Sequence, residues 1–182
     1  MRQGSGWRPG LAILAAGLLA TAGLPAQEPQ CRSQDVSCWY LVGGDGDPPE
    51  RTVWLARRHG PATGEPLGTV DLVQVLESAG APHPYIIRRL QVDCAAGALR
   101  TQEAWLAARN GVLQRQSPHG DWTPAGETPD GEAVALPFAC DPEVALGRSS
   151  EHPALFVGNA WRAPDAVNWF RQAFWTQDTA AP

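Results

Sequence analysis

The chain has 182 residues, and loss of an export signal over residues 1–26 would leave 182 − 26 = 156, enough for one ordinary domain and too few for two. Glycine and proline make up 19 + 17 = 36 residues, a loop-rich composition below the roughly 25–30% of disordered chains. All 14 basic residues are arginine; with Arg2 and Arg8 in the removable segment, the mature charge is (14 − 2) − 19 = −7. That balance argues against a duplex-binding face built on counterion release, and the lack of lysine removes Schiff-base and phosphate-loop lysine chemistry.

Residues 1–26 read as a secretory signal. Arg2 and Arg8 flank the short polar start, residues 11–20 are an unbroken apolar run, and cleavage fits after Ala22 or Ala26. As a helix that run reaches about 15 Å, half of the roughly 30 Å hydrocarbon core. No later apolar run is long enough to span, so no transmembrane segment is expected in the mature chain. Export carries Cys31, Cys38, Cys94 and Cys140 into an oxidising compartment, where four cysteines form two disulfides in one of three pairings. The preferred scheme is a local Cys31–Cys38 clip, within an N-terminal segment over 27–48, and a Cys94–Cys140 bridge inside a core over 49–145. Closed loops of 8 and 47 residues are worth roughly 2.5 and 4 kcal/mol in the chain-entropy model.

Residues 38–42 are a short β-rich run stopped by the turn cluster 43–49, and residues 51–57 form a second strand that could pair with it. Residues 70–76 fit both periods and stay unassigned. Residues 85–94 alternate best: Ile86, Arg88, Leu90, Val92 and Cys94 share one face, taken as the buried one. Asn110-Gly111 between residues 98–107 and 112–116 predicts a hairpin with a type I′ turn. Residues 131–140 carry a last apolar stretch, broken by Pro137. The tail over 146–182 is read as loop followed by a helix at about 165–176, capped by Asp165. Its stripe is Ala166, Trp169, Phe170, Ala173 and Phe174. The expected class is α+β: a small antiparallel sheet with a C-terminal amphipathic helix packed on one face, disulfide-stabilised.

Chemistry is sparse. His59, His83, His119 and His152 fall in expected loops without metal-ligand spacing, and Ser117, His119 and Asp121 are too close in one turn to make a catalytic triad. No catalytic residue, metal ligand or cofactor is expected. Seven tryptophans remain after removal of the signal; most should pack in the core, while an exposed subset would recognise a partner, since Trp and Arg anchor interfaces. The candidate binding surface is Trp161, Trp175, Arg88 and Arg89.

A set of short motifs carries a resemblance over about residues 50–141: Val53-Trp54-Leu55-Ala56-Arg57, a strand closing in Asp93-Cys94, the strand containing Arg100, Gly111-Val112, Trp122-Thr-Pro124 and Ala139-Cys140. In these the chain resembles the surface-adhesin protein E-like domain of exported bacterial proteins. The resemblance implies a small antiparallel sheet with a packed helix, a Cys94–Cys140 bridge and an envelope location, and for some members binding of host matrix or serum proteins. The expectation is therefore an exported, non-catalytic protein-binding domain in the periplasm or on the outer surface, with a host matrix protein or an envelope protein as partner and no nucleic acid. The rivals are a periplasmic inhibitor of a basic cell-wall hydrolase such as lysozyme, and an accessory subunit of an envelope complex.

Overall fold

The computed structural model describes residues 37–59, 67–117, 120–129, 131–145, 149–151 and 153–175. The expected signal peptide and Cys31 lie outside them. Six strands follow one another as an antiparallel meander: β1 (Cys38–Asp45), β2 (Thr52–His59), β3 (Leu67–Leu76), β4 (Tyr85–Asp93), β5 (Ala98–Ala107) and β6 (Leu113–Gln116). Two more complete the sheet. β7 (Thr123–Pro124) pairs with the start of β5, and β8 (Leu155–Asn159) returns from the far end of the chain to pair with β1. The path is β6-β5-β4-β3-β2-β1-β8.

Local sequence explains the turns. Asp93 accepts from the Ala95 and Ala96 N–H groups at 3.0 and 2.9 Å, and Gly97 takes φ +63°, closing β4 onto β5. The expected β5–β6 hairpin is present, but its turn is not type I′, because Asn110 keeps a negative φ. Gly111 alone is left-handed at φ +83°, and its N–H bonds to the Ala108 carbonyl at 2.9 Å. A turn followed by a left-handed glycine is the other common way to return a strand at this loop length.

Both faces of the sheet are covered, which corrects the expectation of one buried face. On the first face Tyr40, Trp54, Leu72, Leu90 and Val92 share a core with Phe138 and Ala139. The stretch over 131–140, placed by sequence in the β core, is a 3-10 turn (Glu132–Val134) running into helix α1 (Ala135–Cys140), followed by α2 (Pro142–Ala145). Pro137 does not break α1, because it stands in the first turn, where its missing N–H has no helical partner to lose. The Cys94–Cys140 disulfide ties the end of β4 to the end of α1, with Cα atoms 5.6 Å apart.

On the second face Trp39, Leu55, Val73, Val75 and Ile87 form another core, in which Ala163, Ala166, Val167 and Phe170 of α3 (Ala163–Phe170) are also buried. A π turn over Arg171–Trp175 extends α3. The tail over 146–182 is thus more than loop and helix, since it also supplies β8. Asp165 is not the cap: Arg162 holds that position without a side-chain capping bond, and Asp165 lies in the first turn, 3.1 Å from the Arg162 Nε. The negative charge still meets the positive end of the helix dipole. Among the described residues no helix is long and apolar enough to cross a membrane.

Candidate functional site

β3 and β4 each carry a charge in mid-run and β2 carries one where its apolar run ends, and the register puts those charges in one row. Arg57 of β2 stands opposite Asp71 of β3, Asp71 opposite Arg89 of β4, and Arg89 opposite Glu103 of β5. Directly opposed unlike charges stabilise neighbouring strands, so the row favours this register. Asp71 is its centre and is buried. Its Oδ2 accepts from Arg57 Nη2 at 2.5 Å and lies 2.6 Å from His59 Nε2; its Oδ1 accepts from Arg89 Nε at 2.9 Å. Burial pushes the Asp71 carboxyl up, but the bonds from His59, Arg89 and Arg57 outweigh it and hold the group well below the usual carboxylate range. The row continues through Arg89 Nη1 to Glu103 at 2.9 Å and from Glu103 to Arg115 at 3.0 Å.

Arg57, only 7% exposed, joins this row to the tail. Its Nη1 donates to the Trp161 carbonyl at 2.6 Å and its guanidinium lies 4.8 Å from the Trp39 ring. The residues leading into α3 are therefore held over the second face beside Arg89. Between them runs a groove of about 390 Å³, lined by Arg57, Asp71, Arg89, Trp105, Arg162 and Pro164 among others. Arg89 stands 5.9 Å from the Trp105 ring. Arg57, Arg89, Arg115 and Arg162 face Asp71, Glu103 and Asp165 in these pairs, which leaves one positive charge in excess, before His59, on a chain that is negative overall.

The His59–Asp71 pair has the outline of a base and its orienter. Two guanidiniums share the same carboxylate with the imidazole. His59 is also the last residue of β2 and not a loop histidine, while His83 Nδ1 lies 3.3 Å from the Ala107 carbonyl. His119 and His152 lie outside the described residues.

The four residues expected to form the binding surface are not brought together. Strand alternation sends Arg88 and Arg89 to opposite faces. Arg88 lies on the first face with its Nε 2.9 Å from Glu132, and Arg89 lines the groove. Trp161 stands free at 75% exposure next to the groove residue Arg162. Trp175 is half-buried, edge-on to Phe170 with 5.6 Å between ring centres and 5.2 Å from the Arg171 guanidinium. Trp169, expected in the buried stripe of the helix, is 48% exposed. Asp71, Arg57 and Trp105 were not singled out from sequence as site residues; the available signal was Asp71 interrupting the apolar run of β3 between two strands that carry arginine.

Compared with known proteins, the chain matches no protein-family model, no curated protein and no solved structure.

Proposed function

We propose that the chain is an exported, non-catalytic protein-binding domain of the bacterial envelope, and that its binding surface is the groove over the Arg57–Asp71–Arg89 row. The observation that carries this reading is the combination, on one side of the molecule, of a locally cationic groove with a ring wall at Trp105 and a free tryptophan at Trp161. Arginine and tryptophan supply rigid, weakly hydrated contact area, which is why they dominate the energetics of interfaces. In this reading α3 is the amphipathic cover of the second face in an α+β domain, and its start forms the rim of the groove. The Cys94–Cys140 disulfide supports an oxidising compartment, the periplasm or the outer surface. The Asp93-Cys94 and Ala139-Cys140 motifs, bridged as the resemblance to the surface-adhesin protein E-like domain implies, support that kinship as part of the proposal.

The partner segment is acidic. A cationic groove attracts carboxylates, and the buried Asp71 leaves both arginines oriented at no further cost on binding. A basic hydrolase would meet this face with like charge, so the groove favours a binding domain over a lysozyme inhibitor. The test is an NMR titration of the mature chain with an acidic peptide and a basic one of equal length. The acidic peptide is expected to shift the Trp105 indole and the Arg89 Nε signals, with affinity falling as salt rises. Reversing charge at the exposed rim, Arg115→Glu with Arg162→Glu, should abolish those shifts. Preference for the basic peptide would overturn the reading.

A further inference from the structure

The first face carries a second concavity that the charged row does not touch. It is a cleft of about 490 Å³ bounded by β4, β5, the end of β6, the chain over 121–129 and Glu132. That volume lies within the roughly 300–1,000 Å³ of ligand clefts. Ile86, Leu90, Leu99 and Leu106 give it apolar ground, Thr101, Thr123, Thr128 and Gln116 line it with short hydroxyls and an amide, and Arg88 and Glu132 contribute a fixed ion pair. The Arg88 and Glu132 side chains are 22% and 10% exposed. Gln74 steadies Arg88, its Oε1 3.3 Å from Arg88 Nη1. Beside the cleft, Trp122 is 40% exposed with the guanidinium of Arg100, a lining residue, 4.7 Å from its ring.

These groups select a ligand by chemistry. A purely apolar guest would strip water from Arg88 and Glu132 and give nothing back. An acidic guest would meet Asp121, Glu127 and Glu132, with Arg88 already paired to Glu132 and the Arg100 guanidinium bonded to Gln91. A hydroxyl both donates and accepts, so vicinal hydroxyls can satisfy a guanidinium and a carboxylate side by side; the Thr101 and Thr123 hydroxyls can turn to suit, while that of Thr128 donates to the Ala125 carbonyl at 2.8 Å. The C–H faces of a sugar ring meet the leucine floor. We propose that this cleft is a saccharide-binding site for a short neutral oligosaccharide, held by the Arg88–Glu132 pair and the threonine wall. Burial raises the Glu132 carboxyl, with Arg88 opposing, as a carboxyl enclosed at the side of a cleft should show. The proposal stands apart from the groove reading, because the two concavities lie on opposite faces of the sheet.

The experiment is an NMR titration of the mature chain with chitotriose, maltotriose, lactose, a glucuronate-containing oligosaccharide and putrescine. A neutral sugar is expected to shift the Trp122 indole and the Arg88 Nε signals while leaving the Trp105 indole in place. Chitotriose as the binder would point to a cell-wall glycan as the source, and lactose to a galactose-terminated surface glycan. Gln116→Ala with Thr101→Val, both on the wall and away from the core, should weaken binding by roughly tenfold, as expected for hydrogen bonds lost without a change of fold. Arg162→Glu on the opposite face should leave it unchanged. No shift with any neutral sugar, binding of the acidic oligosaccharide or putrescine alone, or shifts confined to the second face would overturn the proposal.

Discussion

Asp71 draws two arginines and a histidine onto one carboxylate, so its replacement leaves the buried Arg57 without its counter-charge and close to Arg89. Asp71→Asn should cost about 3–5 kcal/mol at pH 7, the range for breaking one side of a buried pair. The carboxyl is depressed in the fold. Its stability contribution is therefore fully present above the unfolded value of about 3.9 and is lost only as the pH falls on toward the much lower folded value, so urea midpoints of wild type and variant should start to approach each other below about pH 4 and keep closing as the pH is lowered further. Glu132 behaves in the opposite sense. Burial raises its carboxyl, protonation favours the fold, and wild type should gain on Glu132→Gln as the pH drops from 7 toward about 4.3. Gly131 is a steric case: at φ +83° an added Cβ would stand 1.8 Å from Trp54 Cε2. Gly131→Ala should lower stability by at least about 1–3 kcal/mol, with Trp54 fluorescence altered. Little of this was legible from single residues. Arg88-Arg89 reads in sequence as one basic pair, yet a period of two residues puts its members on separate faces.

The elements that were legible are those whose pattern is local. β4 alternates, β5 has the bounds read from sequence, and Asn110-Gly111 marks the hairpin even though the turn differs in type. β3 was ambiguous for a physical reason: Val70 and Leu72 serve one core and Val73 and Val75 the other. A strand buried on both sides loses its alternation. α1 was hidden behind Pro137. β8 is five residues long, and it is a strand because β1 offers it an edge; nothing within Leu155–Asn159 says so alone. The Cys94–Cys140 bridge was the long-range feature that spacing did propose. It closes 47 residues, and the double variant Cys94→Ser with Cys140→Ser should lose about 4 kcal/mol in the chain-entropy model, measurable as a lowered denaturation midpoint.

At the scale of the whole molecule, the two faces give one eight-stranded sheet concavities of different chemistry, among them a cationic groove beside α3 and a hydroxyl-lined cleft beside the 3-10 turn. The core that separates them is close-packed, and neither shares a lining residue with the other. Acidic peptide and neutral sugar should therefore bind additively, each titration unchanged by saturation with the other. The order of strands carries a further consequence, for time. From β1 to β6 each strand pairs with the one before it, whereas β8 must find β1 across more than a hundred intervening residues. Contacts between neighbours in sequence close early, and those that close a long loop come late. β8 and α3 are thus the last to dock and the first to open, and native-state hydrogen exchange should show their amides opening at a lower free energy than those of β3 and β4. Arg162 and Pro164, at the rim of the groove, belong to that late unit. A partner bound there should slow exchange in β8 and α3 while leaving the centre of the sheet unaltered, so that recognition completes the last step of folding.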